Sequence, residues 1–132
     1  MKREANTDSG EVTTQLVIVL PVILFVVMLA IQSALYFHIS HVAGAAAAEG
    51  AAAASAMGLS SAEATRRGRD RADALVRETG TDAGGPTSVS VSAREVQVTV
   101  RTRVPMIVPL FPSLAIRTVV EPRERFISEF LR

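Results

Sequence analysis

Residues 16–37 read LVIVLPVILFVVMLAIQSALYF, and this apolar stretch decides the architecture of the chain. Only Gln32 and Ser33 interrupt it, and no Asp, Glu, Lys or Arg occurs between Val12 and Ala48. Twenty-two residues of α-helix span about 33 Å, which is close to the thickness of a bilayer core. The stretch therefore predicts a transmembrane helix, which Pro21 should bend slightly near its start.

Basic residues on the two sides of this stretch predict its orientation. Lys2 and Arg3 precede it, whereas the next basic residue, Arg66, lies far beyond it. By the positive-inside rule we expect a single pass in the cytoplasmic membrane, with the N-terminus inside and the C-terminal part outside. The stretch is longer than the apolar core of about 7–15 residues in a signal peptide, which favours a retained anchor. Small residues at 43–47 nevertheless offer signal-peptidase sites, so a secreted form is the alternative.

Composition argues against several classes of function. The chain of 132 residues has no cysteine, which excludes disulfides and thiolate metal sites, and its net charge of +1 gives no basic footprint for nucleic acid. His38 and His41 share a helix face and could both bind a metal ion, but Glu49, the nearest residue that could serve as a third ligand, lies too far along the helix. We therefore interpret the two histidines as polar residues at the membrane boundary rather than as a metal site. With no catalytic triad signature and no phosphate-binding loop, we expect no enzyme activity, no metal and no cofactor.

An alanine-rich segment follows the apolar stretch and extends the predicted helix to about residue 57. Gly44, Ala48, Gly50 and Ala54 recur at spacings that place small side chains on the helix surface. Such a surface allows another helix to approach closely, so we predict a packing face. The alternative is low-complexity alanine without a partner.

The C-terminal part predicts a small α+β domain. Ser60 and Glu63 form a capping-box pattern that opens a second, amphipathic helix ending near Gly80, with a narrow apolar stripe suited to packing on a sheet. Its arginines alternate with acids, which favours a solvated face over an anion site. Alternating valines at 89–100 predict a hairpin, residues 115–121 a third strand, and residues 123–132 a short amphipathic helix. The apolar loop 106–111 folds onto the domain, touches the membrane or docks on a partner; the sequence does not rank these.

The segment SGEVTTQLVIVLPV, residues 9–22, resembles the TadE-like family, which comprises pilin-like proteins of the tight-adherence (Flp-type) pilus machinery. The segment AAAAEGA at 45–51 is similar to the helix continuation of that family. The resemblance implies a pilin-like fold and a minor pilin or pseudopilin that acts in pilus biogenesis and surface adhesion. It also implies the lipid bilayer and other pilin-like subunits as partners, with prepilin peptidase and pilus platform proteins beside them.

The resemblance further implies proteolytic processing between Gly10 and Glu11, after which the protein would reside in the pilus or at the cell surface. Two residues depart from the family pattern. Gln15 stands where the family has a glutamate, so it accepts hydrogen bonds but cannot pair ionically with the amine of a neighbouring subunit. Glu11 is unusual at the new N-terminus and could pair with that amine itself. A processed and an unprocessed form therefore both remain open.

These patterns divide the chain into a cytoplasmic leader (1–10), a transmembrane helix (11–37), an Ala-rich helix extension (38–57) and an extracytoplasmic α+β domain (58–132). Two other classes of function fit the same division. One is a membrane-anchored or secreted binding module of the cell envelope that uses the hairpin and the apolar loop. The other is a single-pass regulator of a secretion system.

Overall fold

The computed structural model describes residues 8–123. It confirms the α+β fold class, with a long N-terminal helix, a second helix and one antiparallel sheet. In chain order the elements are α1 (Asp8–Ser55), α2 (Ser61–Glu78), β1 (Ser88–Val91), β2 (Glu95–Arg103) and β3 (Leu114–Pro122). The predicted amphipathic helix at 123–132 and most of the predicted leader lie outside the described residues.

Helix α1 is continuous over 48 residues and includes Pro21. At 1.5 Å per residue it is about 72 Å long, more than twice the thickness of a bilayer core. From residue 32 onward one side of α1 packs against the rest of the chain, whereas almost all side chains at 15–31 are exposed. The predicted limits of 12–57 therefore agree with the observed helix to within four residues at each end.

Helix α2 begins and ends with the signals that the sequence predicted. The Glu63 N–H donates to the Ser60 hydroxyl oxygen (3.3 Å), and the Ser60 N–H donates back to the Glu63 carboxylate (3.1 Å). At the other end Gly80 has a φ of +66°, and the Thr81 N–H donates to the Val76 carbonyl at 3.2 Å. This left-handed glycine closes the helix in a Schellman motif.

The outer face of α2 is solvated, as its alternating charges predicted. Arg66, Arg67 and Arg69 are exposed. Arg71 pairs with Glu49 of α1 at 3.1 Å, and both side chains are about half exposed, so the pair contributes little to stability. These arginines therefore mark the side of α2 that faces away from the core.

The three strands form an antiparallel sheet in the order β1-β2-β3. Val98 lies at its centre, opposite Val89 on β1 and Val119 on β3. Every second residue of β2 is buried from Val96 to Thr102, which confirms the predicted hairpin with one buried face. The third strand is one residue longer at each end than predicted.

The core lies between α1, α2 and the sheet, and its helical side consists almost entirely of small residues. A Cβ atom on Gly50 would lie 2.7 Å from the Gly68 carbonyl oxygen, so the backbones of α1 and α2 approach closely there. Helix α2 therefore packs against α1 as well as against the sheet, whereas the sequence predicted only the sheet. The buried core residues are Ala43, Ala46, Ala47, Ala51, Ala54, Ala64, Ala72, Val76, Val96, Val98 and Val100.

Candidate functional site

The exposed half of α1 is an apolar rod, defined here as residues 16–31. Its large apolar side chains are 40–68% exposed, apart from the partly buried Leu29. Burial of apolar surface is favourable by about 25 cal/mol per Å², so exposure of a whole helix surface to water is strongly unfavourable. The described chain has one helix that is long and apolar enough to cross a membrane, and the candidate span is Gln15–Ser55. The apolar rod is thus suited to membrane anchoring.

Gln32 directly follows the apolar rod on α1. Its side chain is fully buried, in contrast to the exposed side chains of the rod. Its Nε2 donates to the Pro105 carbonyl at 3.1 Å. Its Oε1 accepts the N–H of Ile107 at 2.8 Å and the N–H of Val108 at 3.3 Å. One side chain thus satisfies three backbone groups of the chain between β2 and β3 and clamps it to α1.

This clamped segment, residues 105–112, is called the apolar loop from here on. Of the three alternatives left open by the sequence, none is settled by this contact, because Gln32, which holds the loop, lies on α1 rather than in the domain. Val108 is buried in this arrangement. Three of its side chains nevertheless face outward, with Met106 60%, Ile107 44% and Leu110 93% exposed. The loop is therefore fixed to α1 on one side and remains open to a further apolar surface on the other.

Sequence reasoning singled out Gln32 only as an interruption of the apolar stretch and missed its role. The signal was available, because a lone amide in a membrane-type helix is costly unless it is hydrogen-bonded. Its partners lie 73 to 76 residues away along the chain, however, and no local pattern identifies them.

The predicted packing face is divided between two environments. Gly50 and Ala54 are buried against α2 of the same chain, since a Cβ on Gly68 would lie 2.9 Å from the Ala54 Cβ. Gly44 and Ala48 are only half buried, and a Cβ on Gly44 would find its nearest neighbour, Arg117 Cγ, at 3.9 Å. The helix that approaches Gly50 and Ala54 is thus α2; approach of another subunit stays a prediction for the remainder of the face.

The predicted processing site lies at the beginning of α1. Gly10 and Glu11 fall in its first turn, which starts at Asp8, and Gln15 follows one turn later with an exposed side chain. The first backbone N–H groups of a helix have no partner within it, so this turn is the easiest one to unwind. A peptidase that needs an extended substrate would have to unwind it before cleaving between Gly10 and Glu11.

The boundary of the apolar stretch carries aromatic and polar side chains. Tyr36 packs on the small cluster of Ile39, Val104 and Ala115, and its ring lies 6.0 Å from that of Phe37. His38 and His41 are exposed. Residues 8–123 hold no group of three or more side chains that could bind a metal ion.

Comparison with known families bears on α1. Residues 10–52 match the family model of TadE-like proteins. The match covers 43 of the 132 residues, begins at Gly10 and ends three residues before α1 does, and it confirms the predicted resemblance over this segment. TadE-like proteins are a pilus-associated family of structural rather than enzymatic type, and the similarity of this chain to them is limited to residues 10–52. No curated protein and no solved structure matches the chain.

The TadE-like match therefore spans the apolar rod, Gln32 and most of the small-residue face. Helix α2 and the sheet lie outside it. The part of the chain that carries the family signal is thus the part that is suited to the membrane and to helix packing.

Proposed function

We propose that this chain is a minor pilin or pseudopilin of a tight-adherence pilus, acting in pilus biogenesis and surface adhesion. The observation that carries the proposal is the position of the TadE-like match, which coincides with one long helix. The first part of that helix is an exposed apolar rod, and its second part holds a small α+β domain. A pilin-like subunit needs this division, because the rod inserts into a membrane or helix bundle while the domain remains outside.

In this proposal the chain is anchored in the cytoplasmic membrane with its N-terminus inside and its domain outside. Lys2 and Arg3 support this orientation, since basic residues favour the cytoplasmic side. Residues 1–10 act as the leader, and removal of the leader leaves Glu11 as the first residue. The role is structural, with no catalytic step assigned to any side chain.

Other pilin-like subunits are the proposed partners, and they would pack on the exposed side of α1. Ala45 and Ala52 are exposed and Ala48 is half buried, so these residues form a small-residue stripe on the side that α2 leaves free. Spacings of three and four residues place them on one helix face. The proposed contact between subunits therefore moves from Gly50 and Ala54 to this neighbouring stripe.

Gln15 alters how such subunits would join. Its amide accepts a hydrogen bond from the N-terminal amine of a neighbour but provides no charge to neutralise it. We expect a subunit of this kind to join a helix bundle less tightly than one with a carboxylate at this position. A place at the base or tip of a pilus, where few copies are needed, fits that expectation better than a place along the filament.

N-terminal mass spectrometry of the membrane-bound protein, coexpressed with a prepilin peptidase, tests the processing step. We expect the mature chain to begin at Glu11, and we expect Gly10→Leu to retain the leader. Gly44→Leu is the matched control, because it replaces another glycine of the same helix far from the bond. An intact leader on the parent chain with an active peptidase would refute processing.

Site-specific photocrosslinking tests assembly independently of processing. A photoreactive residue at Ala52, which is exposed, should crosslink to pilin-like subunits of the same system, whereas one at Ser88, on the exposed edge of the domain, should not. Equal yields at the two positions would contradict the proposed subunit contact.

A further inference from the structure

We propose that the apolar loop inserts into the membrane interface beside α1, on the side of the bilayer that carries the domain. The outward-facing side chains of the loop then contact lipid, so the chain contacts the bilayer through both the apolar rod and the apolar loop. The proposal goes beyond the pilus role, because it concerns how deep the domain sits on its own anchor.

The depth of the loop follows from the length of the helix. A bilayer core about 30 Å thick requires about 20 helical residues. Counted from Gln15, the first residue before the apolar rod, 20 residues reach to about residue 35. Gln32 lies about one helical turn, or about 5 Å, inside that boundary, and it holds the loop at its own level. Insertion to about 5–10 Å is typical of segments that lie in the membrane interface.

The outward surface of the loop has the chemistry that this depth requires. No charged residue occurs between Arg103 and Arg117, so the whole connection from β2 into β3 is uncharged. Met106, Ile107 and Leu110 present their side chains outward, and Leu110 is 93% exposed. The apolar surface that they form begins beside the end of the rod, because Gln32 accepts the Ile107 N–H at 2.8 Å.

Most backbone N–H groups of the loop have a hydrogen-bond partner within the chain. Backbone N–H groups without partners are costly in lipid. Of the eight loop residues, three are prolines without an N–H group, and four donate within the chain: Ile107 and Val108 to Gln32, and Leu110 and Phe111 to the Val108 carbonyl.

Polar side chains lie directly above the loop, where lipid headgroups would begin. His38, Asp82 and Arg103 line one shallow cavity together with Pro105, the first loop residue. Charged groups next to an apolar tip are typical of segments at a membrane interface. Lipid contact requires the loop to lie at the depth of the outer end of the membrane helix, and the hydrogen bonds from Ile107 and Val108 to Gln32 hold it there. Contact with a protein partner does not require this depth.

Depth-dependent fluorescence quenching of the full chain in phosphatidylcholine vesicles tests the proposal. The chain contains no cysteine, so single cysteines at positions 110, 22 and 93 accept an environment-sensitive dye uniquely. Leu110→Cys reports on the loop, and Val22→Cys reports on the rod. Ala93→Cys is the aqueous control, because it lies beyond the opposite end of β2, about 30 Å from the loop.

We expect the dye at position 110 to emit at shorter wavelength than the dye at 93. Lipids with a quencher near the headgroup should quench it, and aqueous iodide should quench it several-fold less than the dye at 93. Equal iodide quenching at 110 and 93, with position 22 shielded, would overturn the proposal while leaving the anchor intact. Shielding of 110 only after pilin-like subunits are added would also overturn it and would assign the loop to a protein contact. An unshielded position 22 would refute both membrane contacts.

Discussion

Replacement of Gln32 by leucine should release the apolar loop from α1 without unfolding the domain. Leucine has a similar size but offers no hydrogen bonds, so the Pro105 carbonyl and the N–H groups of Ile107 and Val108 would lose their partner. Each buried backbone group left without a partner costs about 1–3 kcal/mol. With the longest of the three bonds, that of Val108 at 3.3 Å, left out, the other two groups set a lower limit of about 2 kcal/mol if the loop stays in place.

The loop is expected to detach instead, because its opening relieves that cost while β2 and β3 remain paired. A change of about 2 kcal/mol in the opening free energy corresponds to about a 30-fold change in the opening equilibrium. Hydrogen–deuterium exchange of the chain in vesicles or micelles measures this directly. The N–H groups of Ile107 and Val108 should exchange about 30-fold faster than in the parent protein, with those of Val98 and Val100 unchanged.

Ser33→Ala is the matched control for this experiment. Ser33 is the neighbouring polar residue, and its hydroxyl donates to the Leu29 carbonyl of its own helix at 2.8 Å rather than to the loop. Its replacement should leave exchange in the loop unchanged. If Gln32→Leu also leaves Ile107 and Val108 protected, the amide does not hold the loop, and the depth argument built on it fails.

Three further substitutions test the packing of α1 against α2 and the N-terminal cap of α2. Gly50→Ala should lower the free energy of unfolding by about 1–2 kcal/mol, because the new Cβ would lie 2.7 Å from the Gly68 carbonyl oxygen. Gly44→Ala is the control and should be neutral or stabilising, because its Cβ would lie 3.9 Å from its nearest neighbour, Arg117 Cγ. Equal unfolding midpoints of the two variants in micelles would contradict the close approach of α1 and α2. Hydrogen bonds from the Ser60 hydroxyl and N–H lower the pKa of Glu63. The ionised Glu63 carboxylate therefore contributes to the stability of the folded chain at neutral pH, and this contribution is lost as the pH falls through the lowered pKa. The difference in thermal midpoint between the parent and Glu63→Gln should therefore shrink from pH 7 to pH 3, and a constant difference would show that the charge contributes nothing.

Local patterns predicted the elements of the fold well because each carries its own signal. The capping box of Ser60 and Glu63 identified the first turn of α2, and Gly80 identified its end. The alternation of valines identified the hairpin, since every second residue of a strand faces the same side. The apolar stretch and its alanine-rich continuation identified α1, and the match to TadE-like proteins over residues 10–52 rests on the same segment.

Contacts between distant segments were not predictable in the same way. The small faces of α1 and α2 each indicate that something packs closely on them, but neither identifies its partner. Gly50 and Gly68 meet because the turn around Gly58 folds α2 back along α1, and any other small helix face would satisfy the sequence pattern equally well. For the same reason, the sequence predicted a face for close approach of another helix without indicating that, at Gly50 and Ala54, this helix is α2 of the same chain.

Gln15 and Gln32 together define how this chain would sit in a bilayer. They bracket the apolar rod, and the 17 helical steps between them correspond to about 25 Å, so a bilayer core of about 30 Å extends past Gln32 to about residue 35. At the level of Gln32 the surroundings of α1 are therefore still apolar, and side chains of the domain at this depth should be apolar as well. The exposed side chains of Met106, Ile107 and Leu110 provide that surface at the level of Gln32. The buried amide of Gln32 thus holds an apolar segment of the domain against α1 at membrane depth, and its three hydrogen bonds to backbone groups offset the cost of placing an amide on a membrane helix.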